Sequence, residues 1–432
     1  MRSIFLLLLL LTTPFLGAAG DSDLPFSIFK KNGSRPGPSI LVIGGIDGDE
    51  PGAFHAAATL VTRYQIQSGG LWIIPDLNRD AILKRERGDL NLKFAQVSRK
   101  DPQFELVQKT KEKIKNEQID LLINLHDGSG FYYPERLSSQ RGPWRWGQSF
   151  VIDQKGLDGV FLGQLYDLCV AGSRAVNQKI HNKQEHFHIK NMRTARLDAE
   201  TPTYHSLTWY ALRNNKPALS IESSKSHPVH LRTYYILLAL EALMTETGVT
   251  FSRDFTLSPA GVRQVIREDG QIDLASGRIS FGLNGLKPEI ADFPLPQSEA
   301  VSVTSKNPLI SLQQEEGGYR IHYGNNRLAL LRTRVVELDP EPAVVRLEVD
   351  GRELEVLPGA QVTVASHVRI PSVTDVRMQV VGLNSDGQLE AATRFTWKDL
   401  DSRKSLDRKG RRFRLELYRD QLFSGMIVLD FQ

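Results

Sequence analysis

Four short apolar runs, each ending in polar or ionisable residues, limit what this chain can fold into. They are "SILVIGGI" from residue 39, "LWIIPDLN" from 71, "DLLINLHDG" from 120 and "PALSIESS" from 217. Nearly continuous apolar runs of this length suit strands buried on both faces, as in a mixed or parallel sheet. Helical patterns separate them: residues 52–64, "DPQFELVQKTKEKIKNEQ", "LDGVFLGQLYDLCVAGSRAVNQKI" and, closing the unit, "HPVHLRTYYILLALEALMTETG". Strand and helix in alternation predict an α/β domain. Beyond about Thr250 the texture changes to two-residue alternation with Gly and Asn/Asp turns, as in "YRIHYG", "AVVRLEVDGRELEV", "VRMQVVGLNSDG" and "GMIVLDF". Such patterning predicts one or two small all-β domains. The expected division is a leader over 1–20, an α/β domain over 21–250, a small β-rich domain over 251–338 and a β-sandwich-like domain over 339–432.

A chain of 432 residues is too long for one ordinary core, which agrees with that division. The leader, "MRSIFLLLLLLTTPFLGAAG", has Arg2, an apolar stretch from Ile4 to Leu11, a break at Pro14 and small residues at 17–20. This is the pattern of a secretory signal peptide cleaved near Ala19 or Gly20. The stretch falls short of the roughly 20 residues that span a bilayer. The mature protein is therefore expected in the periplasm, without a transmembrane segment. Cys169 is the single cysteine, so no internal disulfide can form, and its apolar neighbours predict a buried thiol. With 54 basic against 50 acidic residues the net charge is +4. The densest basic stretch, at 401–420, is interrupted by carboxylates, which argues against a nucleic-acid partner.

In open α/β sheets ligands bind beyond the carboxyl ends of strands. Three of the four runs place ionisable groups there: Asp47 and Glu50 after the first, His126 and Asp127 in the third, Glu222 in the fourth. Singly, each has an ordinary explanation as a turn former, a helix-start charge or a cap. Together they suit zinc-dependent hydrolysis, in which three protein ligands leave a position for water and a nearby carboxylate serves as base. Asp47, Glu50 and His126 would be the ligands, and Glu222 the base. His181, His186 and His188 in "HNKQEHFHIK" suggest a second metal site only weakly, and a loop near the cleft is the simpler reading.

In these residues the chain resembles the zinc carboxypeptidases, whose pattern is His-x-x-Glu after a strand, a distant His and a catalytic Glu on a later strand. The resemblance covers about residues 25–250 and implies an α/β zinc-carboxypeptidase-like fold with a mixed sheet. "PDLNRDAILKRERGDLNLKF" is similar to the family's substrate-binding region. Arg87 there matches the arginine that polarises the scissile carbonyl, and Asn91 the residue that helps hold the substrate's terminal carboxylate. Within the family, "GGIDGDEPGAF" and "GDLNLKF" are similar to loops of the exported carboxypeptidases that trim peptidoglycan and set helical cell shape. In those, an amide side chain replaces the first histidine ligand, so an oxygen ligand at position 47 fits this branch.

The resemblance implies Zn2+ as cofactor and peptidoglycan stem peptides as partners, with muramyl tripeptide cut to dipeptide and meso-diaminopimelate released. Two positions depart from the pattern. Asp47 adds a second carboxylate to the ligand set, and Leu92 stands where the carboxylate-binding arginine is expected. Lys84, Arg79 and Arg85 are the nearby cations that would replace it, and Tyr204 falls near the family's mobile active-site tyrosine. Two alternatives stay open on the sequence. One is a wall-binding pseudoenzyme weakened by Asp47 and Leu92. The other is a deacylase of the aspartoacylase kind, against which the signal peptide argues.

Overall fold

The computed structural model describes residues 24–194, 205–296, 303–371, 375–383 and 394–432. Residues 1–20, where a leader is expected, and Tyr204 lie outside them.

The first unit is built on an eight-stranded mixed sheet. Its strands are β1 (Phe29–Asn32), β2 (Arg35–Ile43), β3 (Tyr64–Ile74) and β4 (Leu121–Gly128), then β7 (Ser149–Ile152), β8 (His188–Asn191), β9 (Ala218–Ser224) and β10 (Thr250–Arg253). A separate short pair, β5 (Phe131–Tyr132) and β6 (Arg141–Gly142), forms in the loop after β4. The order across the sheet is β1-β3-β2-β4-β9-β7-β8, with β10 on the free part of β3. The central strands β3, β2, β4 and β9 run parallel, while β1, β10 and β7 pair antiparallel. Every residue of β4 and β9 is buried, as their continuous apolar runs predict.

Helices cover both faces. α1 (Pro51–Arg63) opens with Pro51 at a position where a missing N–H costs nothing, and its alanines bring it close to the sheet. α2 (Arg79–Lys84) is capped by Asn78. α3 (Phe104–Ile114), α4 (Leu165–Asn177) and α5 (Leu207–Arg213) follow. α6 (Val229–Thr247) is apolar nearly all round because it is packed against α1, α4 and β9. It stops at Gly248, whose φ of 90° continues no helix. α4 begins several residues later than its apolar pattern suggests, since residues 156–163 fold into turns closed by Leu157 N to Gly163 O.

Past β10, where alternation predicts strands, the structure places a helix, α7 (Pro259–Glu268), started by the Ser258 cap and Pro259. The all-β part follows. A hairpin of β11 (Gln271–Leu274) and β12 (Ile279–Gly282) leads to a four-stranded sheet. That sheet has β13 (Glu289–Pro296), β14 (Ile310–Glu315), β15 (Gly318–Tyr323) and β16 (Asn326–Val336), ordered β13-β16-β15-β14. The described residues between 345 and 431 form two further four-stranded sheets that share one apolar core. The α/β unit with a mixed sheet, followed by all-β sheets, is thus the architecture expected. The middle sheet does not stand apart from the first unit: Phe54 and Ala58 of α1 and Ile82 of α2 belong to its core, beside Ile321 and Tyr323. Among the described residues no helix is long and apolar enough to cross a membrane.

Candidate metal centre

Strands β2, β4 and β9 are neighbours, so their carboxyl ends open on one crevice. The β4–β9 register sets His126 beside Glu222. Asp47 and Glu50 reach the same point from the loop between β2 and α1. Carboxylate oxygens of Asp47 and Glu50 and a ring nitrogen of His126 all lie within 4.8 Å of one another. His126 Nδ1 is 2.9 Å from Glu50 Oε2 and 3.4 Å from Asp47 Oδ2. These side chains and Glu222 are all buried.

The loop is tied to β4 from several directions. Asp127, next to His126, accepts from Gly52 N at 2.8 Å and from Arg232 at 3.0 Å, which fixes the start of α1. Its own backbone N–H donates to Glu50 Oε2. Asn78 Nδ2 donates to Ile46 O. Asp49 points away to Lys225, 2.6 Å distant, and the same ammonium stands 3.4 Å from Glu50 Oε1.

The electrostatics are those of a buried anionic pocket. Burial pushes the Glu222 carboxyl up to about 8; His126 opposes this, while Glu50, Asp127 and Asp47 add to it. Burial raises Asp127 to about 6 against the pull of Arg232. For His126, burial disfavours the charged ring, but Glu50 and Asp47 hold its proton and raise it well above the usual histidine range. Carboxylates gathered out of water around one imidazole form a site that a cation would relieve.

The donor set passes a second test. A divalent cation at Nδ1 needs that nitrogen bare and the proton on Nε2. Nε2 lies 2.8 Å from the Asn124 amide nitrogen, while Asn124 Oδ1 is buried without a partner. Turning the Asn124 amide over, a choice open at any amide, gives Nε2–H an acceptor and satisfies the orphaned oxygen. The residues present therefore fit a metal ion held by Asp47, Glu50 and His126, with Asn124 orienting the histidine.

One wall of the crevice comes from the loop after β4. Gly128 has no room for a side chain, since a Cβ there would lie 2.4 Å from the Trp146 Cβ and 2.7 Å from Glu222 Oε2. Lys190 is buried behind it, donating to Pro143 O and Arg145 O under the rings of Trp146 and Tyr132. Burial brings Lys190 down to about 8, with Glu222 pulling the other way. Phe131 meets His227 edge-on, and Tyr133 meets His188.

Other expected residues fall as follows. Arg87 is exposed and makes no hydrogen bond or ion pair among the described residues. Asn91 is half-buried, and its Oδ1 accepts from Leu207 N at the start of α5. Arg79 and Arg85 do not turn toward the ligands: they donate to Pro308 O and Asn325 O of the middle β sheet. Lys84 pairs with Asp80. Leu92 is 47% exposed. His181, His186 and His188 form no metal-like cluster among the described residues, and His186 bonds to Ile180 O. Sequence reasoning missed Asn124, Lys225 and Lys190, and named Asp127 at the strand end without giving it a role. Only Asn124 carried a signal, since it stands two residues from His126 and so on the same face of a strand.

Comparison with known proteins completes the picture. A family model described as the catalytic part of carboxypeptidases controlling helical cell shape matches residues 2–267. Another, described as the C-terminal domain of metallo-carboxypeptidases, matches residues 338–432. Among solved structures the chain is similar to the apo cell shape determinant protein Csd4 from Helicobacter pylori. The identity is 30% and the TM-score 0.81, over 94% of this chain and 100% of that one. The tripeptide-bound form of that protein and its mDAP-bound form, described as a D,L-carboxypeptidase, match at 31% identity with the same coverage and a TM-score of 0.81. No curated protein matches.

Proposed function

The chain belongs to the family of carboxypeptidases that control helical cell shape, and from that premise we propose that it is a zinc enzyme, exported to the periplasm, that trims peptidoglycan muramyl tripeptide to dipeptide. The leaving product is meso-diaminopimelate. The observation that carries this reading is the placement of Glu222 beside His126 at the end of the neighbouring strand, facing the Asp47, Glu50 and His126 donors. The leader sequence supports export. The tripeptide- and mDAP-bound forms of the similar Helicobacter protein support the substrate class.

Zinc, when bound, supplies Lewis-acid polarisation of the scissile carbonyl and acidifies water. Glu222 takes a proton from the attacking water as the new C–O bond forms, and gives it to the amine nitrogen of diaminopimelate as the C–N bond breaks. Burial makes the Glu222 carboxylate a stronger base than an exposed one, which suits it to take the proton of water. Arg87, uncommitted among the described residues, is assigned to the developing oxyanion. Asn91 keeps its amide nitrogen for the substrate while its oxygen braces α5.

Leu92 offers no charge to a terminal carboxylate, so selectivity rests on the zwitterionic far end of diaminopimelate. A polar site rejects an analogue that leaves its groups unpaired far better than a methylene-sized difference would allow. Incubating the protein with muramyl peptides and following products by mass tests this. The tripeptide ending in diaminopimelate should be cut, the one ending in lysine cut poorly, and the tetrapeptide left intact. Equal cleavage of the diaminopimelate and lysine peptides, or release of D-alanine from the tetrapeptide, would overturn the substrate assignment.

A further inference from the structure

The loop that carries Asp47 and Glu50 is gripped from outside the α/β unit. The turn between β15 and β16, Gly324-Asn325, reaches across to Gly48, the residue after Asp47. Asn325 Nδ2 donates to Gly48 O at 3.2 Å, and Arg85 Nε donates back to Asn325 O at 2.5 Å. On the other side Gly48 N donates to Glu86 O at 2.8 Å. Gly48 is pressed so closely on α2 that an added Cβ would fall 2.1 Å from the Ala81 carbonyl carbon. The turn itself is anchored, with Gly324 N donating to Leu309 O at 2.8 Å and Tyr323 edge-on to His55 of α1 at 5.1 Å.

This arrangement answers a local need. Gly48 must be glycine to fit against Ala81, yet glycine leaves the backbone between the two carboxylate ligands with the most conformational freedom of any residue. Asp47 has a short side chain, so its carboxylate follows the backbone directly. A metal site tolerates only about 0.5 Å of misplacement. Some outside restraint on the Gly48 peptide is therefore needed, and the Asn325 amide is bonded to it.

We propose that Asn325 is a positioning residue of the metal centre, holding the Gly48 peptide and through it the Asp47 carboxylate, so that the middle β sheet is a working part of the site. This rests on the reading of Asp47, Glu50 and His126 as metal ligands. The test uses the full chain in four forms: wild type, Asn325→Asp, which keeps the shape and removes the donor, Asn325→Ala, and Asn307→Ala. The last, in the segment before β14, loses its bonds to the Tyr323 hydroxyl and Leu309 N and makes no bond to the ligand loop. Zinc affinity is read by competition with a chromophoric chelator, metal-site geometry by the visible spectrum of the cobalt-substituted protein, and stability by the melting temperature without metal. Both Asn325 variants should weaken zinc binding about 10–100-fold, the usual effect of losing a group that orients a ligand, and change the cobalt spectrum. Asn307→Ala should melt earlier with zinc affinity and spectrum unchanged. Should one Asn325 variant fail to fold, the other decides. Wild-type affinity in the Asn325 variants, or equal weakening in Asn307→Ala, would overturn the proposal while leaving the metal reading intact. A wild-type protein that binds no zinc would overturn both.

Discussion

His55 shows how a single residue ties the α/β unit to its neighbour and makes stability depend on pH. It lies on α1, buried, with Tyr323 edge-on to its ring. Burial alone brings its folded pKa down to about 4. The unfolded ring titrates near 6.5, so between these values the unfolded state binds a proton that the folded state refuses. Stability is therefore full above about pH 6.5 and falls by about 3 kcal/mol by pH 4 through this group. His55→Phe, which keeps an aromatic edge for Tyr323, should lose less stability than wild type over that interval in denaturant titrations; parallel losses would contradict the assignment. At this scale the sequence was informative where chemistry coincides with strand ends. Asp47, Glu50, His126 and Glu222 could be picked out because apolar runs stop at them. Arg79 pairs locally with Asp76, but its contact with Pro308 and that of Arg85 with Asn325 each span more than two hundred residues. No local pattern records such a contact. Tyr204 lies outside the described residues.

Among the elements, α1 matters most to the site. Its first turn follows Glu50, its Gly52 N–H is held by Asp127, and its two sides serve different cores. Ala53, Ala56 and Ala57 pack with the large sheet, while Phe54 and Ala58 pack with the middle β sheet. Phe54→Ala should cost about 3–5 kcal/mol, the range for emptying a buried aromatic position, measured by the midpoint and slope of denaturant unfolding. A loss under about 1 kcal/mol, typical of exposed positions, would show that the contact between units is not a packed core. The buried strands and long helices were legible, because a strand covered on both faces must be apolar throughout and α6 carries an unbroken apolar stretch from Tyr234 to Leu240. α7 was not read, although the Ser258-Pro259 start and the i, i+3, i+4 spacing of Val262, Val265 and Ile266 mark a helix, because it is only ten residues long and lies where strand-like alternation sets in. The short strands β7 and β8 were missed for a related reason: four residues are too few to show a period.

In the molecule as a whole, the sheet brings three strand ends together, α1 carries the ligand loop, and the middle β sheet closes over α1 and α2. The family resemblance read from the loops and the α/β-then-β order both hold in the structure. The contact between units was hidden, because alternation in β15 and β16 reports that strands form and not what their connecting turn touches. In the proposed mechanism the Asp47, Glu50 and His126 donors hold zinc while Glu222 moves the proton. Its most direct test is the turnover of muramyl tripeptide by Glu222→Gln beside wild type, each with its zinc content measured. Both proteins should hold equal zinc, and the variant should lose turnover by about 10²–10⁴-fold, the contribution usual for a general base. Turnover by the zinc-loaded variant at the wild-type rate would contradict it.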